Sequence, residues 1–211
     1  MFDSAQPGSA QDKILNAAEE LFARHGYDGT SIREITRLAD VNVAAVHYHF
    51  GSKESVLRAV TDRIALPISR RRSALLEEAT ERALPDNPTV EVLLETFLRA
   101  DIEMLLSLQE RGPTVAWFLG RTYGDRTPWI QEMAAAQFSQ ATEFYPLLAA
   151  ALPQVTPDEL AWRMRQVVAV IVHQFSTWPP EGMDAATAEH LLARLVALLS
   201  AALRAPGGED R

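Results

Sequence analysis

Cysteine is absent from all 211 residues. Disulfides, thiolate zinc sites and cysteine nucleophiles are therefore excluded. Long apolar runs are missing too. "VVAVIV" at 167–172 is short, and "LLARLVALLSAAL" at 191–203 is interrupted by Arg194. Neither approaches the ~18 apolar residues of a membrane span. No basic stretch followed by an apolar run opens the chain, so no signal peptide is read and a cytoplasmic location is expected. Signatures of catalysis and nucleotide binding are also absent. There is no G-x-S-x-G, G-x-G-x-x-G, P-loop or H-E-x-x-H. No enzyme activity and no cofactor are expected.

What is present is apolar content sufficient for a core: 47% of residues are hydrophobic and 23% charged, as in a globular protein of one or two small domains. The net charge of -8 is unevenly spread. Residues 1–72 hold ten Lys/Arg and nine Asp/Glu, whereas residues 73–211 hold ten and nineteen. The net negative charge thus lies in the second part, and the nearly balanced first part is left free to meet a polyanion.

Nearly every segment has helical periodicity. Ile14, Leu15, Ala18, Leu21 and Phe22 form one stripe over residues 10–25, with Ser9 as cap and Gly26 as stop. "SIRE" is a capping box, Ser31 with Glu34, opening a short helix with Ile32, Ile35 and Leu38 expected inward. Asn42 caps a third helix that ends at "FGS", and Ser52 opens a fourth with a kink expected at Pro67. Beyond it, Pro-containing breaks separate helical stretches at 89–110, 114–122, 128–152, 157–177 and 184–203. The expected fold is all-α, with about nine helices: a helix-turn-helix head over residues 9–55 and a helical body over residues 56–205.

Two short helices joined by a tight turn and braced by a first helix make a helix-turn-helix, whose second helix suits a DNA major groove. On that helix Val41 and Val46 are expected inward with Phe50 behind them. Rotation of ~100° per residue turns Ala44, Ala45 and Tyr48 away from Val46. Small alanines allow close approach to base edges and methyl contact with thymine. Tyr48, His49 and Lys53 could donate to phosphates, as could the helix starts at Ser31 and Ser52. His49 is equally compatible with packing on the head. His47 and His49, at i and i+2, point ~200° apart and cannot share a metal ion.

Residues 10–60, with "AAEELFARHGYDGTSIREITRLADVNVAAVHYHFGSKESVL", resemble the DNA-binding head of the TetR family of transcriptional regulators. The resemblance implies contacts with double-stranded, palindrome-like operator DNA from Ser31, Arg33, Val43, Ala44, Ala45, His47, Tyr48 and Lys53. Many members carry Tyr at the place of His47 and a polar or basic residue at that of Val43. Arg33 is therefore the best candidate here for reading a guanine, with shape readout supplying the rest.

Residues 157–177 and 184–204 are too apolar for one buried face each, so both are expected to pair with a second copy in a homodimer. By family resemblance the body senses a small hydrophobic effector. Expected lining residues are Met104, Trp117, Phe118, Tyr123, Trp129, Met133, Phe138, Gln140, Phe144 and His173. A repressor released from its operator by that effector is the first reading. A DNA-binding regulator whose body binds a protein partner or no ligand is the alternative. A helical enzyme with a fused head is a third.

Overall fold

In a computed structural model, residues 8–139 and 143–206 are described, with the side chains of residues 136–139 left aside. The described residues form ten α-helices and one 3-10 turn. The head comprises α1 (Ala10–His25), α2 (Ile32–Ala39) and α3 (Val43–His49). Helix α4 (Lys53–Ala83) continues without interruption through Pro67 and carries the chain into the body. The body follows with α5 (Val90–Ser107), the 3-10 turn (Gln109–Arg111), α6 (Gly112–Gly124), α7 (Pro128–Ser139), α8 (Phe144–Ala151), α9 (Pro157–Ser176) and α10 (Ala185–Arg204).

The boundaries follow local chemistry. Ser9, Ser31, Asn42, Ser52, Thr89, Thr156 and Asp184 each accept a backbone N–H of the helix they open. Gly26, at φ 73°, ends α1 in a conformation that an L side chain adopts with strain. The stretch 128–152, expected as one helix, is two. Pro146 lies in the first turn of α8, where its missing N–H would have no intrahelical partner in any case.

Helix α5 packs against both α4 and α10, and α6 against both α9 and α1. One continuous apolar core runs from Ile14 of the head to Leu203 of the body. Helix α4 contributes to both ends, with Val56, Leu57 and Val60 near the head and Ile64, Ile68 and Leu76 further along. Helices α6 and α9 approach unusually closely. A Cβ on Gly120 would fall 2.6 Å from the backbone nitrogen of Ser176, a gap that only glycine tolerates.

Helix α10 corrects the expectation about membrane spans. It is long and apolar enough, by length and composition, to cross a membrane, and only a third of that stretch is buried. Its inward face (Ala188, Leu192, Leu195, Leu199 and Leu203) belongs to the protomer's own core. Its outward face keeps Leu198 60% exposed, and Trp162 on α9 is 51% exposed. A helix apolar on two faces is what a bundle helix needs when its second face meets another helix.

Candidate nucleic-acid interface and the body behind it

Helix α3 has a single fully buried residue, Val46. Val41 and Phe50 half-bury beside it. Around the rest of the helix Val43, Ala44, His47, Tyr48 and His49 are exposed. Tyr48 stands 85% exposed, its ring meeting only that of His49, at 5.0 Å edge-to-face. The His47 Nδ1 lies 3.1 Å from the Gly51 carbonyl oxygen, which orients the ring at the end of the helix. His49 is exposed and packs loosely, 6.2 Å from the Phe50 ring. Among the described residues no cluster of His, Asp and Glu could hold a metal ion.

Helix α2 supports this face. Glu34 accepts from both the Ser31 hydroxyl, at 2.7 Å, and the Ser31 backbone N–H, at 2.8 Å. Those bonds hold its carboxyl below the ordinary range. The Ser31 hydroxyl is thus engaged within the cap. Arg33 is exposed on the outer side of the same helix. Leu38, expected inward, is 46% exposed; Ala39 takes the inward place because the next turn folds back through Asp40 at φ 52°.

Two further expectations need correction. Ala45 packs against the head core and is half-buried. It sits next to Val46 in sequence, and a seven-residue helix wedged on α1 and α2 buries more than one side chain's width. Lys53 turns inward. Its ammonium donates to the carbonyl oxygens of Tyr27, at 2.8 Å, and Thr30, at 2.9 Å, and lies 4.0 Å from the Tyr27 ring centroid. It ties the start of α4 to the turn between α1 and α2. Two of its three donors are occupied there.

Sequence reasoning missed the joint between head and body. Glu19 of α1 is buried, 2% exposed, and paired with two arginines from outside the head. Arg63 of α4 donates to it at 2.8 Å, and Arg111 of the 3-10 turn donates through Nε at 2.7 Å and Nη2 at 2.5 Å. Arg63 also reaches Asn16 at 2.9 Å. Arg121 of α6 donates to the Ala23 carbonyl oxygen at 3.1 Å. In the sequence, Glu19 sits beside Glu20 on an otherwise ordinary amphipathic helix, and its partners lie 44 and 92 residues away. No local pattern marks it.

The expected effector-lining residues sit in different settings. Phe118, Met133 and Phe144 are core, with Phe144 edge-to-face on Phe97 at 5.3 Å. Met104 is half-buried against that core. Trp129 packs edge-to-face on Tyr27 of the head at 4.9 Å, with the Arg58 guanidinium 5.4 Å from its ring centroid. Trp117 donates its indole N–H to the Trp178 carbonyl oxygen at 2.9 Å. His173 is exposed on α9. The Phe138 side chain and Gln140 lie outside the described residues. Trp117 also lines a groove of about 470 Å3 with Arg121 and Ser176, and Tyr123 borders a cavity of about 20 Å3 shared with Arg72, Asp101 and Phe175. There Arg72 donates to Asp101 at 2.8 Å and to the Phe97 carbonyl oxygen at 3.2 Å. Burial pushes the Asp101 carboxyl upward against the pull of Arg72, and burial likewise raises the Tyr123 hydroxyl. Phe118 and Phe144, aromatics at helical spacing, occupy core positions, since the same periodicity serves both packing and pockets.

Comparison with known proteins agrees with this architecture. A family model described as "Bacterial regulatory proteins, tetR family" matches residues 14–60, and one described as "Tetracyclin repressor-like, C-terminal domain" matches residues 95–202. The chain is similar to the HTH-type transcriptional repressor Rv3405c of Mycobacterium tuberculosis, 33% identical over 169 residues, 75% of this chain and 87% of that protein. It also resembles the probable HTH-type transcriptional regulator YttP of Bacillus subtilis, 47% identical over 49 residues, 23% of this chain and 24% of YttP. Among solved structures, SCO3833 of Streptomyces coelicolor, a TetR-family regulator, shares the fold with a TM-score of 0.61 at 23% identity, covering 91% of each chain. The ketosteroid regulator KstR2 of Mycobacterium tuberculosis shares it with a TM-score of 0.61 at 15% identity, covering 91% of this chain and 93% of KstR2.

Proposed function

The chain belongs to the TetR family of bacterial transcriptional regulators, and we propose that it is a dimeric repressor whose grip on operator DNA is set by a small effector held by the body. One observation carries the DNA-binding part. Helix α3 leaves Val43 at 40% and Tyr48 at 85% exposure, beside Ala44 and His47, on a helix anchored by the buried Val46. A smooth, apolar and aromatic helix face of this kind fits a major groove lined with thymine methyls and phosphates. Arg33, exposed on α2, is placed to read a guanine at the edge of the site. Lys53 contributes chiefly by fixing α4 to the α1–α2 turn, with one remaining donor for a phosphate.

Dimerisation would run through the outward faces of α9 and α10, where Trp162 and Leu198 lie open. Two recognition helices then fall on half-sites about one helical turn of DNA apart. Repression is the sign suggested by the similarity to Rv3405c, described as a repressor. The body influences the head through α4, which contributes Val56 to the head end of the core and Arg72 to the polar cluster at Asp101. An effector that favours the off-register dimer by ~1.4 kcal/mol weakens DNA binding tenfold. Sequencing the DNA fragments retained by the purified protein, followed by titration of the enriched fragment, tests the reading. A palindrome-like site bound by two chains is expected; retention of DNA without sequence enrichment would count against it.

The alternative is a regulator whose body binds a protein partner or no ligand. It predicts that no small molecule alters the affinity for the selected DNA.

A further inference from the structure

Beside the joint between head and body lies a groove of about 580 Å3, within the size range of small-molecule sites. It is bounded by the last turn of α5, the 3-10 turn, the start of α6 and the connection from Trp178 to Asp184. Its floor is apolar. Leu105, Pro113 and Trp178 are buried there, and Met183 is half-buried. Its rim carries the carboxylates of Glu181 and Asp184, and no Lys or Arg lines it. The surrounding helix ends offset one another: α6 and α10 begin at the groove, whereas α5 and α9 end near it. Their partial charges are of opposite sign, so the two carboxylates set the local field. Asp184 is held in its ionised form by hydrogen bonds from Thr187.

We propose that this groove binds a small amphipathic organic cation, with its positive group between Glu181 and Asp184 and its apolar part on Trp178, Pro113 and Met183. A metal ion does not fit. Hard cations demand six or more oxygen ligands, and this site offers an apolar floor with two carboxylates. An anion meets two like charges and no counter-ion. A neutral apolar molecule would gain the floor but draw nothing from the two carboxylates.

The groove is also placed to be felt by the head. Gly112 and Pro113 form part of its wall and directly follow Arg111, which holds Glu19 of α1. That segment has no slack, since even a Cβ on Gly112 would lie 2.4 Å from the Leu105 carbonyl oxygen. A ligand that moves Pro113 therefore displaces Arg111. This part of the inference rests on the effector-responsive reading above and gives that effector a site and a chemical class.

The test is calorimetric titration of the full-length protein with three probes of one size: benzyltrimethylammonium, its neutral isostere neopentylbenzene, and phenylacetate. The cation should bind once per chain, at least about tenfold more tightly than the neutral isostere, and phenylacetate should not bind. Glu181 is exposed, so Glu181→Gln should keep the circular dichroism spectrum and weaken the cation about tenfold, leaving the neutral probe unchanged. Equal binding of cation and isostere, an unchanged cation affinity in E181Q, or no binding at 10 mM (roughly −2.7 kcal/mol) would each overturn the site. A second arm adds saturating cation to the complex with the selected DNA fragment. Cation binding without loss of DNA affinity upholds the site and removes the effector reading.

Discussion

Replacing Leu198 by Glu should yield a folded monomer, whereas the same change at Leu195 should damage the fold itself. Both leucines lie on α10 three residues apart, and periodicity alone treats them alike. Leu198 is 60% exposed in the protomer and Leu195 only 7%. Burying the open part of one leucine against a partner is worth about 1 kcal/mol, roughly half of the 1.5–3 kcal/mol for a whole side chain. Two-fold symmetry doubles that to about 2 kcal/mol. A carboxylate in its place adds an unpaired charge at the interface, costing several kcal/mol more. The sum, about 5 kcal/mol or above, raises the dimer Kd by three to four orders of magnitude. At Leu195 the loss is instead of core packing, ~2–5 kcal/mol for truncation before any charge is counted. That is a large share of the stability of an ordinary domain, about 5–15 kcal/mol, and the buried charge adds to it. Sedimentation velocity at micromolar concentration reads the mass, and circular dichroism reads the fold. L198E should be helical, monomeric and weak on palindromic DNA, and L195E should lose helicity. A dimeric L198E would refute the assignment of this face, as would an L195E that is folded and monomeric.

Tyr48→Ala should lower DNA affinity with no change in melting temperature, because the ring meets only His49; a lowered Tm would contradict its exposure. Lys53→Ala should lower both, costing about 1–3 kcal/mol of stability through two lost charge-assisted hydrogen bonds, and chemical denaturation measures it. Arg33→Ala should relax preference at one base pair, by roughly 1–3 kcal/mol, in a binding selection. Gly120→Ala should destabilise by about 1–3 kcal/mol, since the contact is with the Ser176 backbone, and a neutral result in thermal melts would show that α6 and α9 can part. Glu91 is held at about 2 by the Arg204 guanidinium, below its ordinary 4.5. A depressed carboxyl stabilises the fold above its unfolded pKa and loses that contribution as pH falls toward its folded one. Stability should therefore drop between about pH 5 and 2, and Glu91→Gln should flatten part of that drop in acid titrations.

The helix starts were legible because each rests on one residue acting three positions away, as Ser31 does on Glu34. The outward face of α3 was legible for a similar reason: one buried Val46 fixes the rotation of seven residues. What escaped depends on distance. Lys53 looks like a free surface cation until the carbonyl oxygens of Tyr27 and Thr30, 26 and 23 residues back, are seen to point at it. Trp129 has the spacing of a body residue, yet its ring lies on Tyr27 of the head. Leu38 and Ala39 compete for one inward position, and the left-handed turn at Asp40 decides between them. The groove at Trp178 is assembled from two connections far apart in sequence, α5 to α6 and α9 to α10, neither of which has periodicity.

Glu19 bears on how such regulators can be recombined. An engineer who wishes to give this operator preference to another sensor would cut between α3 and α4 and graft the head elsewhere. The graft would carry a carboxylate 2% exposed into a body with no guanidinium at the places of Arg63 and Arg111. An orphaned buried charge of that kind costs several kcal/mol, enough to unfold the chimera or to splay its head from its body. The transferable unit is therefore α1 to α3 together with the two arginines that receive it, and a graft that moves all of these should recover binding where the head alone fails.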